Sequence, residues 1–508
     1  IQDANSVENI NPYFRGPKDL HATNILLKTA PLVVPGNIFY TNDIDGQNRS
    51  GTVSFGADEF LQPANDLVIT EVLPAKIFGQ GVNDVKIRVY NNGSNAITSF
   101  NTLVQLVNYP AGVGGVHNAI NAGTLNYSFA GNIASGTSQL ITLGQLNIPL
   151  WRNQFKINCS NTNGVADEVP FTDSIQNDNF YAGLNGTYTF DNSYPSLTSA
   201  VSINSFDEVS KQLRFGGVFS PSVLNLKAGI HVGELRADSI PNRGAISTLI
   251  IQSENGDSLN TGISNGVNNF GSAVTLFRAS YITIKKLNLY NSGYNAMVLG
   301  YNSQNISVEN CKIRGGDALR AIPGSPILGY GIYASGNWSG MTNYNDSNYM
   351  FKNNYFDGGG SGINVNGNGL GTGMKNVIID SNIFINTKGD AVNTILAKNI
   401  LVSNNVIETN TTEPTFRGIF SGSSTGFTGI YKNKVYAQND AVGISMDDYY
   451  GAPYLLTDTI KVFNNFVSVG GTNSASRGLW LNLQYKSSKI STISFSPEDS
   501  TLNSNSLR

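Results

Sequence analysis

A short pattern of hydrophobic and polar positions recurs between about residues 282 and 469. Two apolar residues alternate with polar ones, an Asn-containing bend follows, and a second apolar pair begins with the alternation reversed, as in NISVENCKI at 305–313. Further copies lie at 350–356, 377–384, 400–407, 431–435 and 462–467. Alternation with a period of two over four to six residues is typical of β-strands. The pattern therefore predicts successive short strands joined by bends.

The spacing of the copies predicts a solenoid. The second bend residues are Asn354, Asn382, Asn405, Asn433 and Asn465, at intervals of 28, 23, 28 and 32 residues. These intervals are too short for a propeller blade. No window between the copies is long enough for a crossover helix, so successive turns must stack strand on strand. The predicted architecture is a right-handed parallel β-helix.

The recurring Asn at the bend has a physical explanation. A bend that turns one strand onto the next face needs a residue that tolerates the left-handed region of backbone space, and Asn does so. Its amide can also pair with the Asn of the next coil. We therefore expect a structural ladder of stacked side chains at Asn354, Asn382, Asn405, Asn433 and Asn465.

Composition and charge narrow the class of protein. The chain has 508 residues, of which 13% are charged and 54 are Gly, which suits an all-β chain with many turns. Its length suggests two or three domains. The net charge of −3 offers no basic surface for a phosphate backbone, so nucleic acid is not an expected partner. No apolar run approaches the roughly 18 residues of a membrane-spanning helix, so membrane insertion is not expected.

Residues 61–182 have a different pattern, with separated strands and hairpin turns between them. About seven strands over some 115 residues indicate an immunoglobulin-like β-sandwich. The phrases NDLVITEV, VKIRVYNNGSNAITSF and WRNQFKINCS resemble the bacterial CARDB immunoglobulin-like domain. The resemblance implies a spacer or adhesion module without a catalytic constellation.

The two flanking segments resemble parts of large secreted cell-surface β-helix proteins of Bacteroidota. In residues 1–60 the phrases are NPYFRGPKDLH, NDIDGQNR and FGADEF, which are similar to a closing segment. In residues 183–508 they are LKAGIH and TLIIQSENGDS, which are similar to entry coils. The resemblance implies that residues 1–60 close a preceding β-helix and that residues 183–508 begin another. It also implies a secreted, extracellular protein, type 9 secretion and a role in gliding motility or attachment.

One segment of the predicted β-helix domain has the hydrophobic pattern of an α-helix. Between Tyr194 and Leu213 the apolar residues fall near one face, and Ser196 can cap the helix. A short helix over the first coil would shield the exposed strand edge.

Candidate catalytic residues are acidic. Parallel β-helices include polysaccharide lyases and hydrolases, which need carboxylates at set separations or next to a cation. The best candidates are Asp447 and Asp448, with Asp390 and Asp440 in the similar phrases KGDAV and QNDAVGI. No partner motif accompanies the acidic pair, and Asp390 and Asp440 equally suit turn ends before an inward Ala-Val pair.

Candidate ligand-binding residues are aromatic. The interval from Cys311 to Asn354 is 43 residues, so about 15 residues are inserted there relative to the other coils. The inserted region contains Tyr330, Tyr333, Trp338 and Tyr344. Aromatic loops that project from a solenoid can stack on sugar rings, or they can pack back on the coil surface.

The phrase at Asp43-x-Asp45-Gly46 invites a Ca²⁺ interpretation, because alternating carboxylates can offer oxygens to a hard cation. The terminal Glu of a full calcium loop is missing. We favour a turn without metal and predict no cofactor.

These observations favour a non-enzymatic, extracellular repeat protein, a section of a long adhesin or surface filament. Its expected partners are neighbouring repeats of the same polypeptide and surface glycans. The alternatives are a secreted carbohydrate-active enzyme, either lyase or hydrolase, and a passive glycan-binding β-helix.

Overall fold

A computed structural model describes most of the chain, in segments. The described residues are scattered positions between 13 and 54, and residues 62–73, 79–110, 118–177, 179–190, 205–241, 244–265, 271–316, 329–335, 345–367, 373–413, 415–439, 441–447, 459–471 and 476–482. They separate into two compact units, one up to Gly183 and the other from Leu184 onward. Most of residues 1–60, which we predicted to close a preceding β-helix, lie outside the described residues. Within them, β1 (Val33–Pro35) and β2 (Thr52–Ser54) form an antiparallel pair.

The first unit contains two antiparallel sheets that share one apolar core. The smaller sheet has the order β3-β4-β7, and the larger has the order β10-β8-β5-β6 with β9 paired to β8. The strands are β3 (Leu67–Leu73), β4 (Gly81–Asn91), β5 (Ile97–Tyr109), β6 (Ile120–Ile133), β7 (Ser138–Ile148), β8 (Arg152–Ser160), β9 (Ser174–Gln176) and β10 (Phe180–Tyr181). Alternate residues such as Ile87, Val104 and Phe155 are fully buried in a common cluster. The unit is therefore a β-sandwich.

The second unit is a parallel β-helix in which the chain passes repeatedly through three sheets, here called A, B and C. From β12 onward each strand pairs in parallel with the strand that follows three places later, as β12 with β15 and β15 with β18 in sheet A, and β11 precedes this series as the partner of β12. In the described chain the three sheets contain ten, nine and nine strands. The all-β class and the parallel β-helix predicted from the repeat are confirmed.

The strands of the three sheets have the following bounds. Sheet A contains β11 (Thr187–Phe190), β12 (Ser222–Leu226), β15 (Leu249–Ser253), β18 (Ser280–Lys285), β21 (Gln304–Glu309), β24 (Ser347–Lys352), β27 (Lys375–Asp380), β30 (Lys398–Ser403), β33 (Thr425–Tyr431) and β36 (Thr459–Phe463). Sheet B contains β13 (Gly229–Val232), β16 (Thr261–Asn265), β19 (Asn288–Asn291), β22 (Lys312–Arg314), β25 (Tyr355–Asp357), β28 (Ile383–Ile385), β31 (Val406–Thr409), β34 (Lys434–Ala437) and β37 (Phe466–Val469). Sheet C contains β14 (Leu235–Asp238), β17 (Val274–Phe277), β20 (Met297–Gly300), β23 (Tyr330–Ser335), β26 (Ser361–Asn366), β29 (Val392–Ile395), β32 (Arg417–Gly422), β35 (Val442–Asp447) and β38 (Arg477–Asn482).

The interior of the coils follows from the alternation seen in the sequence. Inward residues such as Ile400 and Val402 of sheet A are buried, as are Ile407 of sheet B and Ile419 of sheet C. Large side chains stack on successive coils, and the rings of Phe356 and Phe384 have centroids 4.5 Å apart. The core is therefore continuous from coil to coil.

A buried asparagine ladder runs along the corner between sheets A and B. The side-chain amide of each member donates to Oδ1 of the next, at 2.9–3.0 Å, from Asn354 through Asn382, Asn405 and Asn433 to Asn465. The backbone N–H of each of the first four donates to the same oxygen. The stacking predicted for these five asparagines is present.

The left-handed backbone predicted at the ladder residues is instead found one residue earlier. The φ angle is 55° at Asn353, 57° at Ser381 and 56° at Asn404, whereas the ladder asparagines have no positive φ. Our prediction that one asparagine both bends the chain and joins the ladder was wrong, because these two roles fall to adjacent residues. The first residue of the bend is left-handed, and the second supplies the ladder amide.

A second asparagine ladder lies on the surface of sheet A. The amide of Asn348 donates to Asn305 Oδ1 at 2.9 Å, and Asn376 and Asn399 extend the series at 3.0 Å. These residues do adopt the left-handed conformation, with φ between 55° and 60°. Because they are exposed, they bend the chain at little cost without filling the core.

Helix α1 (Ser205–Phe215) packs on the first coil. The ring of Phe206 stacks on Phe190 with centroids 4.6 Å apart, and the hydroxyl of Ser210 accepts a hydrogen bond from the backbone N–H of Arg236 in β14. The helix therefore covers the first strand of sheet C. It overlaps the last part of the window we predicted, whose earlier part, with Ser196, lies outside the described residues. In the part of the chain described, no helix has the length and apolar character needed to cross a membrane.

Candidate functional site

One row of outward-facing side chains crosses sheet C. The register aligns Tyr333 with Asn364, Asn364 with Asn393, and Asn393 with Phe420. Each of the four follows an inward apolar residue, and alternation along a strand turns it to the outer face. We call this set the sheet C row. Parallel pairing thus brings together residues that are 27 to 31 positions apart in the sequence.

Two tyrosines begin the row. The rings of Tyr330 and Tyr333 stack with centroids 5.2 Å apart and an interplanar angle of 19°, and both are partly exposed. Burial raises the pKa of Tyr330, so its hydroxyl stays protonated. We predicted these tyrosines within an inserted loop, but the structure places both in strand β23 of the coil itself. Trp338 and Tyr344 lie outside the described residues.

A charged pair flanks the row. Arg417 binds Asp390 with both ends of its guanidinium group, through Nε to Oδ1 and Nη2 to Oδ2, each at 2.7 Å. The amide of Asn393 donates to the same carboxylate at 2.8 Å, and the guanidinium lies 3.5 Å from the centroid of the Phe420 ring. Burial raises the pKa of Asp390, and Arg417 opposes that shift. Both oxygens of Asp390 are therefore hydrogen-bonded to neighbouring side chains.

Asp390 and Asp447, the two candidate catalytic aspartates that the structure describes, do not form one site. Asp447 ends β35, and its Oδ1 accepts a 3.3 Å hydrogen bond from the amide of Asn482. It lies two strands from Asp390 and five positions further along the strand. Strand dimensions make that separation about 19 Å between Cα atoms. Carboxylates of a glycosidase are roughly 5 to 9.5 Å apart. Asp440 and Asp448 lie outside the described residues.

In several strands of sheet C a glycine precedes the inward apolar residue. Because glycine has no side chain, the backbone there lies close to side chains of the core. The phrase Gly, apolar, outward residue recurs at 331–333, 362–364, 418–420, 443–445 and 478–480. At Gly331 and Gly362 an added Cβ would meet the inward rings of Phe356 and Phe384 at 2.7 and 2.6 Å. This recurrence is a sequence signal that could have identified the sheet C row, and our sequence analysis missed it.

Asp43 and Asp45, the weak Ca²⁺ candidate near the beginning of the chain, make local hydrogen bonds. Asp43 Oδ1 accepts the backbone N–H of Asp45 at 3.1 Å, and the Asp45 carboxylate lies 2.7 Å from His21 Nε2. Gly46 has a φ of 84° and donates its N–H to the Asp43 carbonyl, which forms the turn we favoured. Among the residues described, no three His, Cys, Asp or Glu side chains come together as a metal site.

A cleft of about 450 Å³ lies at sheet B. It is lined by Ser258, Leu259, Asn310, Cys311, Lys312, Asn353 and Tyr355. The thiol of Cys311 is buried and free, and burial raises its pKa to about 12. A thiol with so high a pKa is a poor nucleophile, and the cleft offers no catalytic group of that kind.

Three carboxyl groups lie together inside the β-sandwich. Asp167 accepts backbone N–H groups of Leu67 at 2.9 Å and Val169 at 2.8 Å. Burial, together with the charge of Asp167, raises the pKa of Asp173 to about 8. Burial also raises the pKa of Asp66 to about 6. In the unfolded chain both would titrate near 3.8.

The sandwich should consequently lose stability as the pH rises from about 4 to about 8. Over this window the folded state holds protons that the unfolded state has released, so deprotonation favours unfolding. We expect Asp173→Asn, which keeps the shape but cannot ionise, to remove most of the pH dependence above pH 6. The measurement is urea unfolding at pH 6 and pH 8, with hydrogen exchange of the β8 peptide as the probe of the sandwich.

A matched control is Asp84→Asn, because Asp84 is an exposed carboxylate of β4 in the same unit. This variant should keep the full pH dependence. If Asp173→Asn kept it as well, the buried carboxyl would not be its source.

Comparisons with known proteins give similarity of fold alone. No protein-family model and no curated protein sequence matches the chain. Similar solved structures include a mannuronic acid specific polysaccharide family 6 lyase from human gut microbiota, 11% identical, over 59% of this chain and 83% of that chain, with a TM-score of 0.30. An alginate lyase from a Paenibacillus species is 14% identical over 55% and 99%, with a TM-score of 0.31. The family 28 exopolygalacturonase of Yersinia enterocolitica is 11% identical over 84% and 100%, with a TM-score of 0.30. These neighbours are β-helical polysaccharide lyases and hydrolases, and so distant a likeness carries no argument about activity.

Proposed function

We propose that this chain is a non-catalytic, carbohydrate-binding section of an extracellular surface protein. The observation that carries the proposal is the sheet C row, in which stacked tyrosines, two asparagines and a phenylalanine follow one another on successive coils. Aromatic faces suit the apolar faces of sugar rings, and amides suit their hydroxyl groups. From Tyr333 to Phe420 the row spans three strand spacings, about 14 Å, which is the length of an oligosaccharide. The tyrosines are partly exposed, whereas Asn364, Asn393 and Phe420 are buried, so a glycan reaches these three only if flanking side chains move.

Binding is favoured over catalysis by the state of the carboxylate beside the row. Asp390 is held by Arg417 and Asn393, so it is not free to act as a general acid or nucleophile. Asp447 is too far away to act with it.

The location outside the cell and the place in a longer polypeptide rest on sequence resemblance. The phrases in residues 1–60 and 183–508 resemble those of secreted Bacteroidota surface proteins. A β-helix gains stability from stacked coils, which suits a stiff section of an adhesin or filament. In this proposal the partners are neighbouring repeats and surface glycans.

Tyr333→Ala should weaken glycan binding about tenfold, because loss of an aromatic ring that stacks on the sugar removes roughly 1.4 kcal/mol. Retention on immobilised polysaccharides, followed by calorimetry with the polymer that binds, measures this loss. Tyr290→Ala is the matched control, since Tyr290 is an exposed tyrosine on sheet B of the same β-helix. It should bind like the parent.

Two outcomes would contradict the proposal. One is the absence of binding across a broad panel of neutral and acidic polysaccharides. The other is release of unsaturated products or new reducing ends, with or without Ca²⁺, that is lost in an Asp447→Asn, Asp448→Asn double variant. The second outcome would establish the enzyme alternative.

A further inference from the structure

Two amide oxygens in the sheet C row have no hydrogen-bond partner. Asn364 and Asn393 face each other on neighbouring strands, and they are 4% and 7% exposed. Within the described structure, Oδ1 of each is buried and accepts no hydrogen bond. Buried acceptors are normally satisfied, so two such atoms at facing positions indicate a missing donor.

The orientation of the Asn393 amide follows from its neighbour. Its nitrogen donates to the carboxylate of Asp390 at 2.8 Å, and flipping the amide would set an oxygen against that carboxylate. The Asn364 side chain hydrogen-bonds the Tyr330 hydroxyl, which partly offsets the rise that burial causes in the pKa of Tyr330. In this arrangement the two amide oxygens accept no hydrogen bond, and they are the atoms left for a ligand.

The chemistry of the unpaired atoms restricts the ligand. Amide oxygens accept hydrogen bonds and cannot donate them, so the missing groups must be donors. The guanidinium of Arg417, which flanks the row, is already paired through Nε and Nη2 with Asp390. A uronate carboxylate placed here would face the two amide oxygens, which are hydrogen-bond acceptors like itself. It would also face the Asp390 carboxylate, whose charge Arg417 already balances. A neutral sugar would offer hydroxyl donors instead.

We infer that Asn364 and Asn393 make this a site for a neutral, hydroxyl-rich glycan and select against uronic acids. Two hydroxyl groups of the glycan donate to the two Oδ1 atoms. The inference rests on the proposed carbohydrate-binding function and names the ligand class. Strand spacing of about 4.8 Å between the two asparagines suits hydroxyls of one ring or of adjacent rings. Because both oxygens are shielded from solvent, binding includes a shift of flanking side chains, among which Tyr330 and Tyr333 are partly exposed.

The test compares two sets of probes and two variants of the whole chain. Neutral polymers such as dextran, mannan and laminarin are set against alginate and polygalacturonate. We expect the parent to bind at least one neutral polymer more tightly than either uronate polymer. Asn364→Leu should weaken that binding about tenfold or more, since a site built to pair a hydroxyl loses its acceptor. Asn366→Leu is the matched control on the same strand, and it should bind like the parent.

The outcomes separate this inference from the proposed function. Preferential binding of a uronate polymer that depends on Tyr333 would overturn the inference and leave the carbohydrate-binding function standing. Unchanged neutral-glycan affinity in Asn364→Leu would do the same. If no polymer bound the parent, both would fail. Should Asn364→Leu not fold, the preference of the parent between the two sets of probes decides the matter by itself.

Discussion

Replacing Asn405 with Leu should destabilise the β-helix by about 4 kcal/mol. Leu has the branching of Asn but no polar atoms, so the coil loses the four hydrogen bonds of the Asn405 side chain. These join it to the N–H and the amide of Asn382, to Oδ1 of Asn433 and to the carbonyl of Ile379. The Asn382 amide still donates to the Phe351 carbonyl, and Asn433 Oδ1 still accepts the backbone N–H of residue 405. The cost is therefore that of four lost hydrogen bonds at about 0.5–1.5 kcal/mol each, about 4 kcal/mol together.

Denaturant unfolding monitored by far-ultraviolet circular dichroism measures this loss. The matched control is Asn399→Gly in the exposed ladder, where glycine keeps the left-handed backbone with its φ of 57°. Because its amide is open to water, its removal should cost less than about 1 kcal/mol. Equal losses in the two variants would mean that burial is not what makes the inner ladder important.

The second large effect is expected at Gly362, where alanine should cost about 3 kcal/mol. A Cβ there would lie 2.3 Å from the carbonyl oxygen of Ala391 and 2.6 Å from the ring of Phe384. The carbonyl belongs to the next coil and Phe384 is part of the stacked core, so neither can move without disturbing its own neighbours. Overpacking of this kind typically costs 1–3 kcal/mol, and a backbone clash places it at the upper end.

Gly478→Ala is the matched control for this substitution. Gly478 holds the same place in the repeated phrase, but a Cβ there meets nothing nearer than a methyl group of Val467 at 3.9 Å. Thermal unfolding should show a lower midpoint for Gly362→Ala and an unchanged one for Gly478→Ala. Loss of stability in both would point to glycine being needed for the strand itself, not for the close approach at Gly362.

Much of the fold could be read from local pattern. The alternation at Ile306 and Val308, repeated at Ile400 and Val402, predicted strands with one face inward, and these residues are buried. The regular interval between Asn382 and Asn405 predicted parallel stacking and a ladder. Both are local properties, because a strand has a side-chain period of two and every coil must solve the same bending problem.

The candidate site was predicted far less well. Tyr330 and Tyr333 were identified, but as part of a loop, because an unusually long interval in the repeat suggested an insertion. Asp390 was predicted as a candidate catalytic residue or a turn end, and Arg417 was not predicted as its partner. An ion pair between residues 27 positions apart leaves no signal in either neighbourhood.

The sequence by itself therefore determined the kind of element and the direction of its side chains. The tertiary structure decided which outward side chains meet, since that depends on the register between coils and on the lengths of the segments that join them. A shift of Asn393 by one position relative to Asn364 would turn it inward and break up the sheet C row. Alternation is encoded within a strand, whereas register is fixed by contacts between strands that lie far apart in the chain.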